Sequence, residues 1–439
     1  MAVPETWAES HPPPVLLDLT RYWQLLDDPL LSAFVEAALA ENLDLAQGAA
    51  RVEQARAQLS FARAAYLPQV TGGGTARRDV GNFASDDLTF SLGADAAWEA
   101  DLFGRIGANV AASRADLASV GYSLADLQRL ITGQVALATI SARATAVQLA
   151  IARDTLVNQD DNLQIARWRV QAGLVSSLDV EQARSQRAQT AATIPLLQSN
   201  LASTANAIST LIGEPPGRVL ALLENIVVVP APPETVGFAA PAEVLRRRPD
   251  VRSAEAALLA DGARIDLARA QLLPLVQLGG TIGTSPANIG NLFDLVTGGL
   301  FASISQLLFD GGRTRAQIGS AEALAQGSLA AWQLTILDAL EEVETAAFDL
   351  RTGRERVLIF EEALDAAENS AVLARSEYEA GLTDFRTLLT AENLLLSARN
   401  ALVSAQAERA SAFVRLTQAL GGGWSPDADL MPNRNGANR

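Results

Sequence analysis

The chain has no cysteine and no lysine, and its one histidine is His11. Without cysteine there are no disulfides, iron–sulfur clusters or thiolate zinc sites. One histidine, set in a proline-rich stretch, leaves no histidine-based triad and no HExxH metal site. Without lysine there is no Schiff-base nucleophile and no P-loop lysine, so all 34 basic residues are arginines. Fifty acidic residues outnumber them, and the net charge of −16 argues against a phosphate backbone as partner. No run of 18 or more uninterrupted apolar residues occurs, so no transmembrane helix is expected. Residues 1–14 are polar and lack the apolar core of a signal peptide. A barrel that crosses a membrane by strands would also leave no apolar 20-mer.

What is present is bulk and repetition. The 439 residues are 49 % apolar, enough for a substantial core. Leu67-Pro68-Gln69-Val70 recurs as Leu273-Pro274-Leu275-Val276, with the prolines 206 apart. Asp101-Leu102-Phe103-Gly104-Arg105 recurs loosely around Phe309-Asp310-Gly311-Gly312-Arg313, with the phenylalanines again 206 apart. Ala172-Gly173-Leu174 returns as Ala380-Gly381-Leu382, and Gly213 as Gly421, both 208 apart. Landmarks in one order at nearly one offset predict two structural repeats of about 207 residues. The boundaries expected are 1–213 for the first repeat, 214–240 for a connector, 241–425 for the second repeat and 426–439 for a disordered tail.

Each repeat carries a long heptad seam. Counting back by sevens from Tyr378 gives Ala371, Leu364, Val357, Leu350, Val343 and Ile336, with Ala374, Ala367, Phe360, Gly353, Ala346 and Ala339 at the d positions. The same register earlier reads Val170, Leu163, Leu156, Leu149, Ala142 and Val135. Helices over 105–172 and 313–380 follow, each about 100 Å long. Return helices follow over 178–211 and 387–420, the first with Pro195 inside it as an expected kink. The hairpin tips fall at 173–177 and 381–385, where glycine suits the helix end.

Ahead of each long helix the period changes to two. From Leu88 to Trp98 every even residue is apolar, which predicts a strand over 88–98 with a partner over 69–80. The second repeat gives 275–284 and 295–305, with Gly81-Asn82 and Pro286-Ala287-Asn288 as turn sequences. These lengths suit tilted strands in a bilayer. Four strands are too few to close a barrel, and an open edge is not tolerated in lipid. Strands that span a membrane must therefore be pooled by several chains, in a symmetric assembly. A soluble helical scaffold with two small hairpins is the competing reading of the same patterns.

In these residues the chain resembles the outer-membrane efflux proteins, which are TolC-like, and among them the NodT-type outer-membrane lipoproteins. The resemblance covers about residues 3–425. It rests on Val3-Pro4-Glu5-Thr6-Trp7, a first-repeat helix over 37–55 with Asn42-Leu43-Asp44-Leu45, Trp98 through Arg105, and Arg248-Pro249-Asp250-Val251-Arg252-Ser253-Ala254-Glu255. It implies a mainly α fold with a β-barrel part. Three chains would share a twelve-stranded barrel in the outer membrane of a Gram-negative cell and a long α-helical barrel in the periplasm. The expected partners are two further copies, a periplasmic adaptor, an inner-membrane pump of the RND type and outer-membrane lipid. The duct would be passive, with no catalytic residue, metal or cofactor. A signal peptide and the lipid-bearing cysteine of such lipoproteins are expected upstream of Val3. A duct for type I protein secretion has the same fold and stays open as an alternative.

The resemblance also implies site residues. Asp179 and Tyr378 match a pair that holds the closed state by hydrogen bonding across neighbouring hairpins. Gly173, Leu174, Val175, Ser176, Gly381, Leu382 and Thr383 match the tips that meet the adaptor. Thr387 and Thr390 stand where relatives carry the acidic residues of a cation-binding constriction, with Asp384 nearby. Bland readings are kept beside these: Tyr378 as the last seam residue, Asp179 as a first-turn acid favoured by the helix dipole, and both glycines as turn geometry. Arg246-Arg247-Arg248 is expected to pair with carboxylates, Asp310–Arg313 and Gly421–Gly423 lack the context of a phosphate loop, and Trp98 is expected at a bilayer interface or packed at the barrel base.

Overall fold

In a computed structural model the described residues are Pro4, Thr6, Trp7, 18–78, 80, 88–224, 228–234, 236–237, 239, 241–284 and 296–425. His11, both strand-turn sequences and the tail 426–439 lie outside them. After a 3₁₀ turn at Leu19–Leu26 the order is α1 (Pro29–Glu41), α2 (Leu43–Ala64), β1 (Gln69–Arg78), β2 (Leu88–Ala100), α3 (Arg105–Gln171) and α4 (Ser177–Leu211). There follow α5 (Arg218–Leu223), α6 (Pro241–Arg247), α7 (Pro249–Ala270), β3 (Leu275–Thr284), β4 (Thr297–Ser305), α8 (Arg313–Glu379) and α9 (Phe385–Ala419). The protein is mostly helical with one small sheet.

Local chemistry accounts for the boundaries. Asp28 caps α1, its Oδ1 accepting the amides of Leu30 and Leu31, with Pro29 at the first helical position. The single helix expected over 37–55 is two helices, because Asn42 turns its side chain back to accept the amides of Asp44 and Leu45. Its amide donates to the Leu211 carbonyl at 2.8 Å. The Pro249 ring opens α7 in the same way that Pro29 opens α1. Asp101 accepts the amides of Ile106 and Gly107 at the head of α3, and Asp310 accepts those of Gly312 and Thr314 at the head of α8. The Asp-Gly-Gly-Arg sequence is thus a helix cap. α4 continues through Pro195 as one helix, and Pro195 is exposed, so the bond it cannot donate is lost at the surface. The connector expected over 214–240 contains α5, whose Val219 and Leu223 are fully buried. An 18-residue window of α3 has a mean hydropathy of 1.5 with 56 % of it buried, so one helix has the length and apolarity of a membrane span despite the lack of an uninterrupted run.

The sheet is antiparallel throughout, in the order β1-β2-β3-β4. Its register pairs even residues with even: Gly74 with Leu92, Ala94 with Ile282, Trp98 with Leu278, Val276 with Ile304. One face of all four strands therefore collects Val70, Leu88, Phe90, Leu92, Trp98, Leu278, Ile282, Leu300 and Ile304. Most of these side chains are open to solvent in the single chain, Leu300 at 94 %. β1 and β4 are edges without a ladder partner among the described residues.

The chain divides into two compact units that are not its two halves. One comprises the described residues of Met1–Ala49, Ser123–Val251 and Ile336–Arg439, the other Ala50–Tyr122 and Arg252–Thr335. In the first, Tyr22, Trp23 and Leu26 of the 3₁₀ turn pack with Leu31, Phe34 and Val35 of α1, Ile131 and Val135 of α3, Ile208 of α4, Val343 of α8 and Phe413 of α9. The seam residues Val343, Val357 and Tyr378, with Ala339 and Ala367, are buried, and Gly353 brings α8 close enough to α9 that a Cβ there would stand 3.2 Å from Arg409 Cα. In the second, Leu59 and Ala62 of α2 meet Ile106 and Val110 of α3, and Arg264 of α7 binds Asp116 and Asp261.

Buried charge is compensated. Arg143 is 1 % exposed and makes two hydrogen bonds to the Asp28 carboxylate, at 3.0 and 3.1 Å. Arg248 is equally buried and meets Asp250, Glu342 and the Ala419 carbonyl. Replacing Asp28 by Ala leaves a buried guanidinium without its carboxylate and removes a helix cap. The expected loss is about 3–5 kcal/mol, read as a lower urea midpoint by circular dichroism, and Arg143→Met with Asp28→Ser should recover much of it.

Candidate functional site

The two hairpin tips are built alike. At the end of α3 the Leu174 amide donates to the Arg169 carbonyl and the Gly173 amide to Val170; at the end of α8 Leu382 donates to Glu377 and Gly381 to Tyr378. Gly173 and Gly381 have φ of 71° and 76°, the left-handed conformation that this helix ending requires. Ser176 then caps α4 and Asp384 caps α9. Between them the apolar tip residues are left outward, Leu174 72 % and Leu382 80 % exposed. Val175 and Thr383 are half-buried beside them.

Within the first unit both tips line one open cleft of about 650 Å³, together with Arg169, Asp179, Gln182, Tyr378 and Asp384. Asp179 and Tyr378 are thus brought together, but no hydrogen bond joins them. Tyr378 is 1 % exposed, its ring 5.4 Å from that of Phe385, in a cluster with Leu163, Ala166 and Leu388. Its hydroxyl is buried and has no partner in the chain. Burial pushes the phenol's pKa up, against the pull of Arg169. Burial also pushes the Asp179 carboxyl up, the charge of Asp384 adds to that, and Arg169 opposes both. Hydrogen bonds from the Thr387 hydroxyl and amide hold Asp384 below the ordinary carboxylate range. Thr387 is therefore tied to the cap, and Thr390 donates to the Arg386 carbonyl. The one carboxylate close to this constriction position is engaged by its own helix.

Further along the hairpins lies a polar layer. Asn162 donates to both oxygens of Glu392 at 2.6 Å, Arg375 reaches the same carboxylate, and Gln186 binds Asn393. Of the arginine run, Arg248 does pair with carboxylates. Gly421 and Gly423 have φ of 79° and 91°, and a Cβ on Gly422 would stand 2.8 Å from the Leu19 carbonyl oxygen. Trp98 donates to the Tyr66 carbonyl at 2.9 Å. No group of three or more metal-ligating side chains occurs among the described residues.

A family model described as outer membrane efflux protein matches residues 34–214 and again 240–422. The chain belongs to that family. Nodulation protein T of Rhizobium leguminosarum bv. trifolii is 29 % identical over 415 residues, covering 93 % of this chain and 88 % of its own length. Toluene efflux pump outer membrane protein TtgF of Pseudomonas putida is 29 % identical over 432 residues, covering 95 % and 88 %. Among solved structures the outer-membrane channel OprN matches with a TM-score of 0.87 at 31 % identity, covering 96 % of this chain and 97 % of its own. The protein is an outer-membrane exit duct of tripartite efflux in Gram-negative bacteria, extending into the periplasm. Membership of this outer-membrane family sets aside the soluble scaffold that the seams alone would allow.

The cap at the second tip of this duct has a measurable consequence. Because the Asp384 pKa is depressed on folding, its contribution is present above the ordinary value of 3.8 and is lost as pH falls through the depressed value. Asp384→Ala should remove protection from amide exchange over the first turn of α9 at neutral pH, while Asp384→Ser keeps it. Equal protection in all three proteins would count against the cap.

Proposed function

We propose that the chain acts as one third of a homotrimer, each copy giving four strands to a shared barrel and two long hairpins to a periplasmic tube. The observation that carries this reading is the four-stranded sheet with two unpaired edges and an exposed apolar face. In lipid those edge groups need partners, and β1 of one copy beside β4 of the next supplies them without leaving an edge. The two halves, with long helices of 67 residues each and return helices of 35 each, are read as structural repeats that double the helices and strands each copy brings. Residues 1–213 and 241–425 bound them, with 214–240 between.

The duct conducts passively, and its cargo comprises small toxic compounds such as drugs or solvents, in line with the toluene efflux for which TtgF is named. The adaptor of the pump meets the tips at Gly173, Leu174, Val175, Ser176, Gly381, Leu382 and Thr383, where two leucines stand open to solvent. The closed state is held at Asp179 and Tyr378. A buried phenol without a partner lacks a hydrogen bond that Asp179, in the same cleft, is able to accept when the hairpins shift.

Two measurements test this. The chain has no native cysteine, so Thr71→Cys in β1 with Ser303→Cys in β4 should give oxidative dimers and trimers in the membrane; monomer alone sinks the shared barrel. Tyr378→Phe with Asp179→Ala should raise single-channel conductance in a planar bilayer, and an unchanged conductance removes these two residues from the gate.

A further inference from the structure

Arg169 has so far entered only through its charge, yet its side chain also reaches two neighbouring residues at the end of α8. It sits in the last turn of α3, where a cation is favoured by the helix dipole. Its side chain leaves its own helix and crosses to α8. The guanidinium carbon stands 4.2 Å above the centre of the Tyr378 ring. Its Nη2 donates to the Glu379 carbonyl at 3.2 Å. Glu379 is the last residue of α8, and its carbonyl is one of those that a helix end leaves without an internal partner. The tyrosine ring also packs at a tilt of 54° against Phe385, the first residue of α9. The ring thus contacts a cation from the first hairpin and an aromatic from the second, while its hydroxyl stays without a hydrogen-bond partner.

We propose that Arg169 is a positioning residue: it ties the end of α3 to the end of α8 and holds the Tyr378 ring in place at the tip cleft. Its influence on conductance, which rests on the gate reading above, passes through that ring. Arginine suits the task because a planar guanidinium stacks on the ring and still directs an N–H sideways to a carbonyl. An ammonium in its place keeps the charge over the ring and one donor, so lysine should act as a partial substitute. Asp179, Asp384 and Arg386 line the same cleft, and Arg169 offsets the charge at Asp179 while Arg386 offsets that at Asp384.

The test separates the tie from the gate. Spin labels at Leu174→Cys and Leu382→Cys, in chains co-expressed with an excess of unlabelled protein, report the distance between the two tips of one copy. Arg169→Ala should broaden and lengthen that distribution, and Arg169→Lys should restore most of it. In bilayers Arg169→Ala should shift the open-to-closed ratio roughly five-fold toward open, as for the loss of one half-buried cation–π contact. In a Tyr378→Leu background it should shift that ratio no further. An unchanged tip distance in Arg169→Ala overturns the proposal whatever the conductance does. A broadened distance with wild-type conductance in Tyr378→Leu keeps the tie and removes the gate.

Discussion

Every backbone N–H and C=O that enters a bilayer needs a partner, and this chain leaves two strand edges without one. β1 and β4 end the sheet on either side, and the register that pairs the four strands places their apolar side chains together on one face. That face buries little within the chain. Edge and face together leave outer backbone groups and an apolar surface uncovered in the single chain. The β2–β3 pairing is the step that makes the unit, because it joins the strands of the two halves into one sheet.

The helices follow a related logic with different means. Alanine and glycine at the seam positions let α8 approach α9 closely, as the contact at Gly353 illustrates. Such seams pack well but specify partner and register weakly, since small side chains interdigitate little. Polar groups supply specificity. Arg143 with Asp28 and Arg248 with Asp250 and Glu342 set charges in the core that are tolerable in one arrangement only. The layer of Asn162, Glu392, Arg375, Gln186 and Asn393 does the same further along the hairpins.

At the tips, geometry and electrostatics meet. Two helix ends with the same hydrogen-bond pattern turn the chain back twice, and the caps Ser176 and Asp384 restart it at once. Short turns leave the seam's last aromatic next to the first turn of the return helix. A phenol, two carboxylates and two guanidinium groups then share a cleft, with opposite shifts at Asp179 and Asp384 because one is partly desolvated and the other is capped by its own helix.

Periodicity and punctuation by themselves determined a large share of this protein. Heptads placed α3 and α8, period-two alternation placed the four strands, and glycines at 173 and 381 placed the hairpin tips, because these signals depend on neighbours a few residues away. The motifs that carry the family resemblance were equally legible. Other features required the chain to be folded. The split at Asn42 depends on a side chain that both caps a helix and reaches Leu211. The short helix α5 is held by buried Val219 and Leu223, two residues without a period. The pairing of β2 with β3, the partners of Arg143 and Arg248, and the place of Arg169 over Tyr378 join residues more than a hundred positions apart, apart from the Arg248–Asp250 and Arg248–Glu342 contacts. Nothing in local sequence encodes which distant group will face a given side chain; only the packed helices and the paired strands decide that.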